Sequence, residues 1–254
     1  MARGAAPSYP LAALVREAWL RSFADRAAIA RAAGLWVVAS LVADVLAASL
    51  APGQHGEPVD PASAVRGLLG LPLLLVGWLG LSAVTVWRIR SLLQGAPQPV
   101  LMAPIDRHVV RYVLAEILVG LLAALPFLMA LALLAPIGGV PLALVVGIAA
   151  ALFLFARLHL VLVAAALGEA GLGFDRSWRA TAGVWPVAAL AAILCTAPLG
   201  LLAGQIGSWI AETGALFVGA AVATAGAYAQ ASVLATFLAA SRLRLLGPQA
   251  SAQV

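Results

Sequence analysis

Long apolar runs separated by short, arginine-bearing polar segments organise this chain. Six such runs extend from Ala32 to Leu50, Leu68 to Trp87, Tyr112 to Ala135, Pro141 to about Val163, Val184 to Leu202 and Ala215 to Ala240. Each approaches or exceeds the roughly 20 residues that a helix rising about 1.5 Å per residue needs to cross a hydrocarbon slab about 30 Å thick. Only Pro136 to Val140 separates the third run from the fourth, which predicts a tight helical hairpin. Ahead of the first run, Leu11, Val15, Trp19 and Phe23 recur every four residues, with arginines elsewhere on the wheel. That pattern predicts an amphipathic helix lying in a membrane interface, or capping the bundle.

The predicted fold is therefore all-α: a polytopic transmembrane bundle of about six helices, preceded by an amphipathic interfacial helix. Its segments are residues 1–31 as an interfacial stretch, 32–240 as the transmembrane domain and 241–254 as a tail. The stretch before the first run is longer than the basic region of a cleavable signal peptide, so it is expected to stay attached.

Composition excludes the soluble alternative. Hydrophobic residues make up 64% of the 254, charged residues only 10%, and no water-soluble core encloses so much apolar surface. The formal charge of +5 invites a nucleic-acid reading. All 15 basic residues are arginines, however, and they cluster between hydrophobic runs rather than in a patch with stacking aromatics, so no nucleic-acid partner is expected. With the runs placed as above, only Arg66 falls on one side of the membrane and the other arginines all fall on the opposite side. The positive-inside rule then predicts both termini in the cytoplasm of a bacterial inner membrane. Trp36, Trp87, Tyr112 and Trp185 stand at the arginine-rich ends of their runs, where interfacial aromatics belong. The single Cys195 rules out an internal disulfide.

Motifs for chemistry are missing. There is no HExxH, GxSxG or Walker loop, and His55, His108 and His159 lie far apart in sequence, so no metal, no cofactor and no catalytic residue is expected. The candidate sites are polar residues inside or beside the apolar runs, which are costly there and mark functional positions by default. Asp44 leads them: a mid-helix carboxylate costs about 2.5–3.5 kcal/mol, so it must face protein or water, with Arg66 as its expected ion-pair partner. Glu116 is read as a solvated or paired helix start. Gln230, with Gln205, is read as hydrogen-bonding glue, and Gly200 with Gly204 gives a GxxxG spacing. Each histidine is expected to be a satisfied surface or interface group.

A weak internal repeat adds to this. Asp25, Asp106 and Asp175 are each followed by arginine, at Arg26, Arg107 and Arg176, shortly before a first, third or fifth run. The even runs end in basic, apolar, basic triplets: Arg88 and Arg90, Arg157 and His159, Arg242 and Arg244. Both features predict three similar helical hairpins.

The stretch Arg157, Gly168, Glu169, Gly171, then Phe174-Asp175-Arg176-Ser177-Trp178-Arg179-Ala180-Thr181, Gly183, Val184 and Trp185 resembles the YciC-like six-helix bacterial membrane proteins. It is also similar to the membrane domain attached to some glycerophosphodiester phosphodiesterases. The resemblance covers about thirty residues and implies a polytopic inner-membrane bundle of mostly unknown role, with no active-site residue to carry over. Three functions follow as expectations. The first is a non-catalytic accessory or scaffold component that binds a membrane-protein partner or its own copies. The second is a small transporter using Asp44. The third is a lipid-acting enzyme with Glu116, Arg157 and His159 at the cytoplasmic interface beside Asp175, Arg176 and Trp178. The bilayer itself is the common partner.

Overall fold

The computed structural model describes residues 10–50, 61–169 and 173–247, with side chains throughout except at 47–50, 61–71 and 138. All regular structure among these residues is helical. The elements are α1 (Leu11–Ala24), α2 (Arg26–Leu50), α3 (Pro61–Gln94), α4 (Arg107–Leu167), α5 (Phe174–Ala180), α6 (Trp185–Glu212) and α7 (Leu216–Leu246). The element α4 is two arms, Arg107–Ile137 and Gly139–Leu167. Gly139 between them stands at φ 79°, ψ 163°, a left-handed φ that suits glycine. The arms fold back on one another so closely that a Cβ at Gly147 would come within 2.6 Å of the Phe127 ring. The expected hairpin is present, with its reversal concentrated in one residue rather than in a five-residue turn.

Six helices are long and apolar enough to cross a membrane: α2, α3, both arms of α4, α6 and α7. Most of them extend beyond the apolar runs at one end or both, because charged residues at helix ends can pair within the protein or reach toward water. Thus α2 already starts at Arg26, and α7 continues past Ala240 to Leu246, with Ser241 and Arg242 buried. The expected boundaries at residues 31 and 240 both fall inside continuous helices.

The last helix is the centre of the assembly: α7 packs against α1, α2, α3, α4 and α6. Small residues allow its closest approach to α6. A Cβ at Gly207 would lie 2.8 Å from the carbonyl oxygen of Gly219, and one at Gly226 would overlap Ala203. The Gly200 and Gly204 pair does not form that crossing. Gly204 faces open space, and Gly200 lies under Gln230, whose Oε1 would be 2.7 Å from an added Cβ. The buried core gathers toward the arginine-rich end, with Ile89, Val163, Phe237 and Leu238 fully buried. Farther along, Leu121, Leu125, Leu128, Leu133 and Val145 on α4 are exposed. Such exposure is costly in water and harmless in lipid, where tails solvate leucine as well as protein does.

Helix α1 docks on the bundle. Its inward face carries Leu14, Ala18 and Ser22, with Leu11, Val15 and Trp19 at the margin. Phe23, expected on that face, is 54% exposed. The four-residue spacing lags behind the 3.6-residue helical turn, so by its fourth member the stripe has rotated off the contact. Trp19 makes the decisive contact: its indole N–H donates to the carbonyl oxygen of Leu194 on α6, at 3.2 Å. That carbonyl is free because the residue four positions on is Pro198, which has no N–H to offer. The carbonyl that proline leaves free in one helix is the acceptor for another.

Coupling between these two residues is directly testable. Trp19→Phe should destabilise the folded protein by about 1 kcal/mol in the native background. It should cost less once Pro198→Ala restores the helical N–H that satisfies Leu194. Equal costs in the two backgrounds, measured by detergent-micelle unfolding, would show that the bond contributes nothing.

Candidate functional site at the arginine-rich end

The arginine-rich ends of α3, α4 and α7 bring together groups that sequence left scattered. Residues two apart on a helix point to nearly opposite sides, so a basic, apolar, basic triplet sends its members apart. On α3, Arg88 turns inward and is 2% exposed, whereas Arg90 stays on the rim. Arg88 donates from one terminal nitrogen to Asp25 Oδ2 at 2.7 Å, from the other to the Arg21 carbonyl at 3.1 Å, and from Nε to Thr236 Oγ1 at 3.2 Å. Asp25 is the elbow between α1 and α2, so a single guanidinium ties the elbow to α3 and α7. Ser22 continues the same seam, 3.0 Å from Thr236 Oγ1.

On α7, Arg242 is 1% exposed and pairs with Glu169, while Arg244 bonds Glu17 of α1 at 3.0 Å. On the second arm of α4 both members are buried. Arg157 lies over the Trp178 ring, 4.2 Å from its centroid, and the Arg157 carbonyl accepts from Ser177 Oγ at 2.7 Å and Thr181 Oγ1 at 3.2 Å. The short helix α5 is thereby pinned to α4. His159 is fully buried, not a surface or interface group. Its Nδ1 bonds the Ala156 carbonyl at 2.9 Å and its ring stacks on Phe237. Nε2 of His159, Nε of Arg157, and Nε and one terminal nitrogen of Arg242 are buried without a hydrogen-bond partner among the described residues.

The repeated Asp-Arg pairs diverge in use. Asp25 binds Arg88. Asp106 caps α4, accepting from the amides of His108 and Val109, and receives Arg90 at 2.9 Å. Among the described residues, Asp175 pairs with Arg179 on its own exposed helix surface, beside the exposed Arg176. Partial burial works against ionising the Asp106 carboxyl. The two amides and the charges of His108 and Arg90 outweigh it and hold the group below its ordinary range.

The candidates within the spans are placed differently from expectation. Asp44 is exposed at the edge of the α2–α7 seam and bonds Thr224. One turn earlier, Ser40 is buried and 2.8 Å from the Tyr228 hydroxyl. The expected partner Arg66 lies on α3 outside the described side chains, and His55 lies outside the described residues. Glu116 is not a solvated helix start. It sits half-buried between α3 and α4, accepting from Trp78 Nε1 at 3.1 Å and Ser82 Oγ at 3.0 Å. Glu116, Arg157 and His159 have no partner in common, and the last two leave their helix in diverging directions. Among the described residues, no three His, Cys, Asp or Glu converge on a possible metal position.

Sequence reasoning placed Trp19 on the α1 stripe without its bond to α6, and missed the hydrogen bonds of Ser40, Trp78, Ser82, Tyr228 and Thr236. A signal existed only for Trp19, through the carbonyl that Pro198 leaves free. The six spans define a multi-pass membrane protein. Compared with protein-family models, curated proteins and solved structures, the chain matches none of them, so the site stands on its geometry.

Two outcomes follow. Asp25→Ala strands a buried guanidinium, whereas Arg88→Met removes the buried charge and leaves Asp25, whose side chain is 49% exposed, for water to solvate. The first should therefore destabilise more than the second, by about 1 kcal/mol or more in micelle unfolding, and the reverse order would overturn this account. For Asp106, the folded-state pKa is lowered, so its stabilisation is full above the unfolded value of 3.8 and is lost as pH falls through the lower folded value. Thermal stability followed from about pH 6 to about pH 3 should show an acid-side loss that Asp106→Asn reduces.

Proposed function

We propose that the chain is a non-catalytic accessory or scaffold component of a bacterial inner membrane, with both termini in the cytoplasm. The observation that carries this reading is the use made of ionised groups. Arg88, Arg90, Arg242 and Arg244 each reach a carboxylate contributed by a different segment of the chain. Charge at this end therefore joins helices, and the acid and base candidates Glu116, Arg157 and His159 each sit in separate surroundings. Arg107 and Arg176 remain exposed on the rim, as suits a surface facing anionic headgroups and cytoplasmic partners. The resemblance of the Arg157–Trp185 stretch to YciC-like proteins implies a polytopic inner-membrane bundle and leaves the role to be decided by the arginines.

The test is extraction of the tagged protein from its native membrane in mild detergent, with mass spectrometry of everything that remains bound. A stoichiometric protein partner, lost when exposed arginines of the rim are replaced by glutamine, is the expected result. A solitary protein that supports solute flux in proteoliposomes, abolished by Asp44→Asn at normal abundance, would replace this reading with transport.

A further inference from the structure

A groove of about 400 Å³ runs between α1 and α2 on one side and α6 and α7 on the other. Along α2 its wall extends from Arg26 to Val37, about 16 Å of helix. Leu199, Ala225 and Val233 help to make the interior apolar. Of the four polar residues that line it, Ser22 and Tyr228 are hydrogen-bonded to Thr236 and Ser40, and the other two lack such partners among the described residues. Arg26, at the arginine-rich mouth, is exposed and forms no ion pair with any described residue, although its neighbour Asp25 is committed to Arg88. Ser232, on the opposite wall, is 1% exposed, and its Oγ has no hydrogen-bond partner among the described residues. A buried hydroxyl left unsatisfied costs about 1–3 kcal/mol, which points to an oxygen-bearing occupant at that level.

We propose that this groove is a binding site for one acyl chain of an anionic phospholipid. The guanidinium of Arg26 holds the headgroup phosphate, Ser232 Oγ donates to an ester oxygen, and the tail lies between α2 and α7. A hydrocarbon chain, far thinner than a helix about 10 Å across, suits a groove of this volume. Charge decides the headgroup, since a planar guanidinium pairs bidentately with phosphate. The site is independent of the accessory or scaffold role and stands whether or not a protein partner exists.

The test uses the full chain in a neutral detergent, delipidated and titrated with phosphatidylglycerol. Phosphatidylcholine of identical tails and glycerol 3-phosphate serve as comparisons, with binding read by native mass spectrometry and by melting temperature. Phosphatidylglycerol should bind at one per chain and raise the melting temperature. Arg26→Gln should weaken it about fivefold, the usual contribution of one basic residue at a membrane surface. Ala30→Trp, at an exposed position on the groove wall, should abolish it. Equal affinity for phosphatidylcholine, or unchanged affinity in Arg26→Gln, would overturn the headgroup assignment. A glycerol 3-phosphate effect matching that of the lipid would overturn the acyl-chain assignment. The Arg26 variant changes only an exposed side chain, so its result stands even if the tryptophan variant fails to fold.

Discussion

A guanidinium can be buried only if its donors are met, and meeting those of Arg88 fixes much of this protein. Its partners come from α1, from the α1–α2 elbow and from α7. No pair of helices satisfies it alone, so the group is content only when four elements are assembled. Apolar contacts between helices in lipid carry little directional preference, because tails and side chains are chemically alike. A buried charge with three directional acceptors supplies the orientation that such contacts lack. Arg242 with Glu169, and Arg244 with Glu17, repeat the principle at the end of α7.

The bundle is consequently specified unevenly. At the arginine-rich end, ionic ties and buried aromatics set angles and depths. Toward the far end, close approach of α6 and α7 rests on the missing side chains of Gly207, Gly219 and Gly226, and the arms of α4 present leucine and valine outward. The groove beside α2 lies where these two regimes meet, with a cation at one end and lipid-like walls beyond.

What the sequence made legible follows the same division. Hydropathy measures depth along the membrane normal, so the six spans, the α4 hairpin and the arginine-rich side could all be read from the apolar runs. Rotation about a helix axis is a different quantity, and apolar runs that are greasy all round do not encode it. Glu116 facing Trp78 and Ser82, His159 turned onto Phe237, and Asp44 at an edge are rotational facts of this kind. The triplets at helix ends announced where charge accumulates without saying which member turns inward. Where an amphipathic stripe did exist, on α1, docking on the bundle was the alternative to the interfacial reading, and Phe23 was misplaced.

The bond from Trp19 to Leu194 joins residues 175 positions apart. At roughly 5–20 residues per second, the ribosome makes the acceptor about 9 to 35 seconds after the donor. Helix α1 thus cannot reach its final seat until α6 and α7 exist. Its amphipathic character has a temporal meaning: the segment can wait at the lipid–water boundary, and its docking then marks the completion of the bundle.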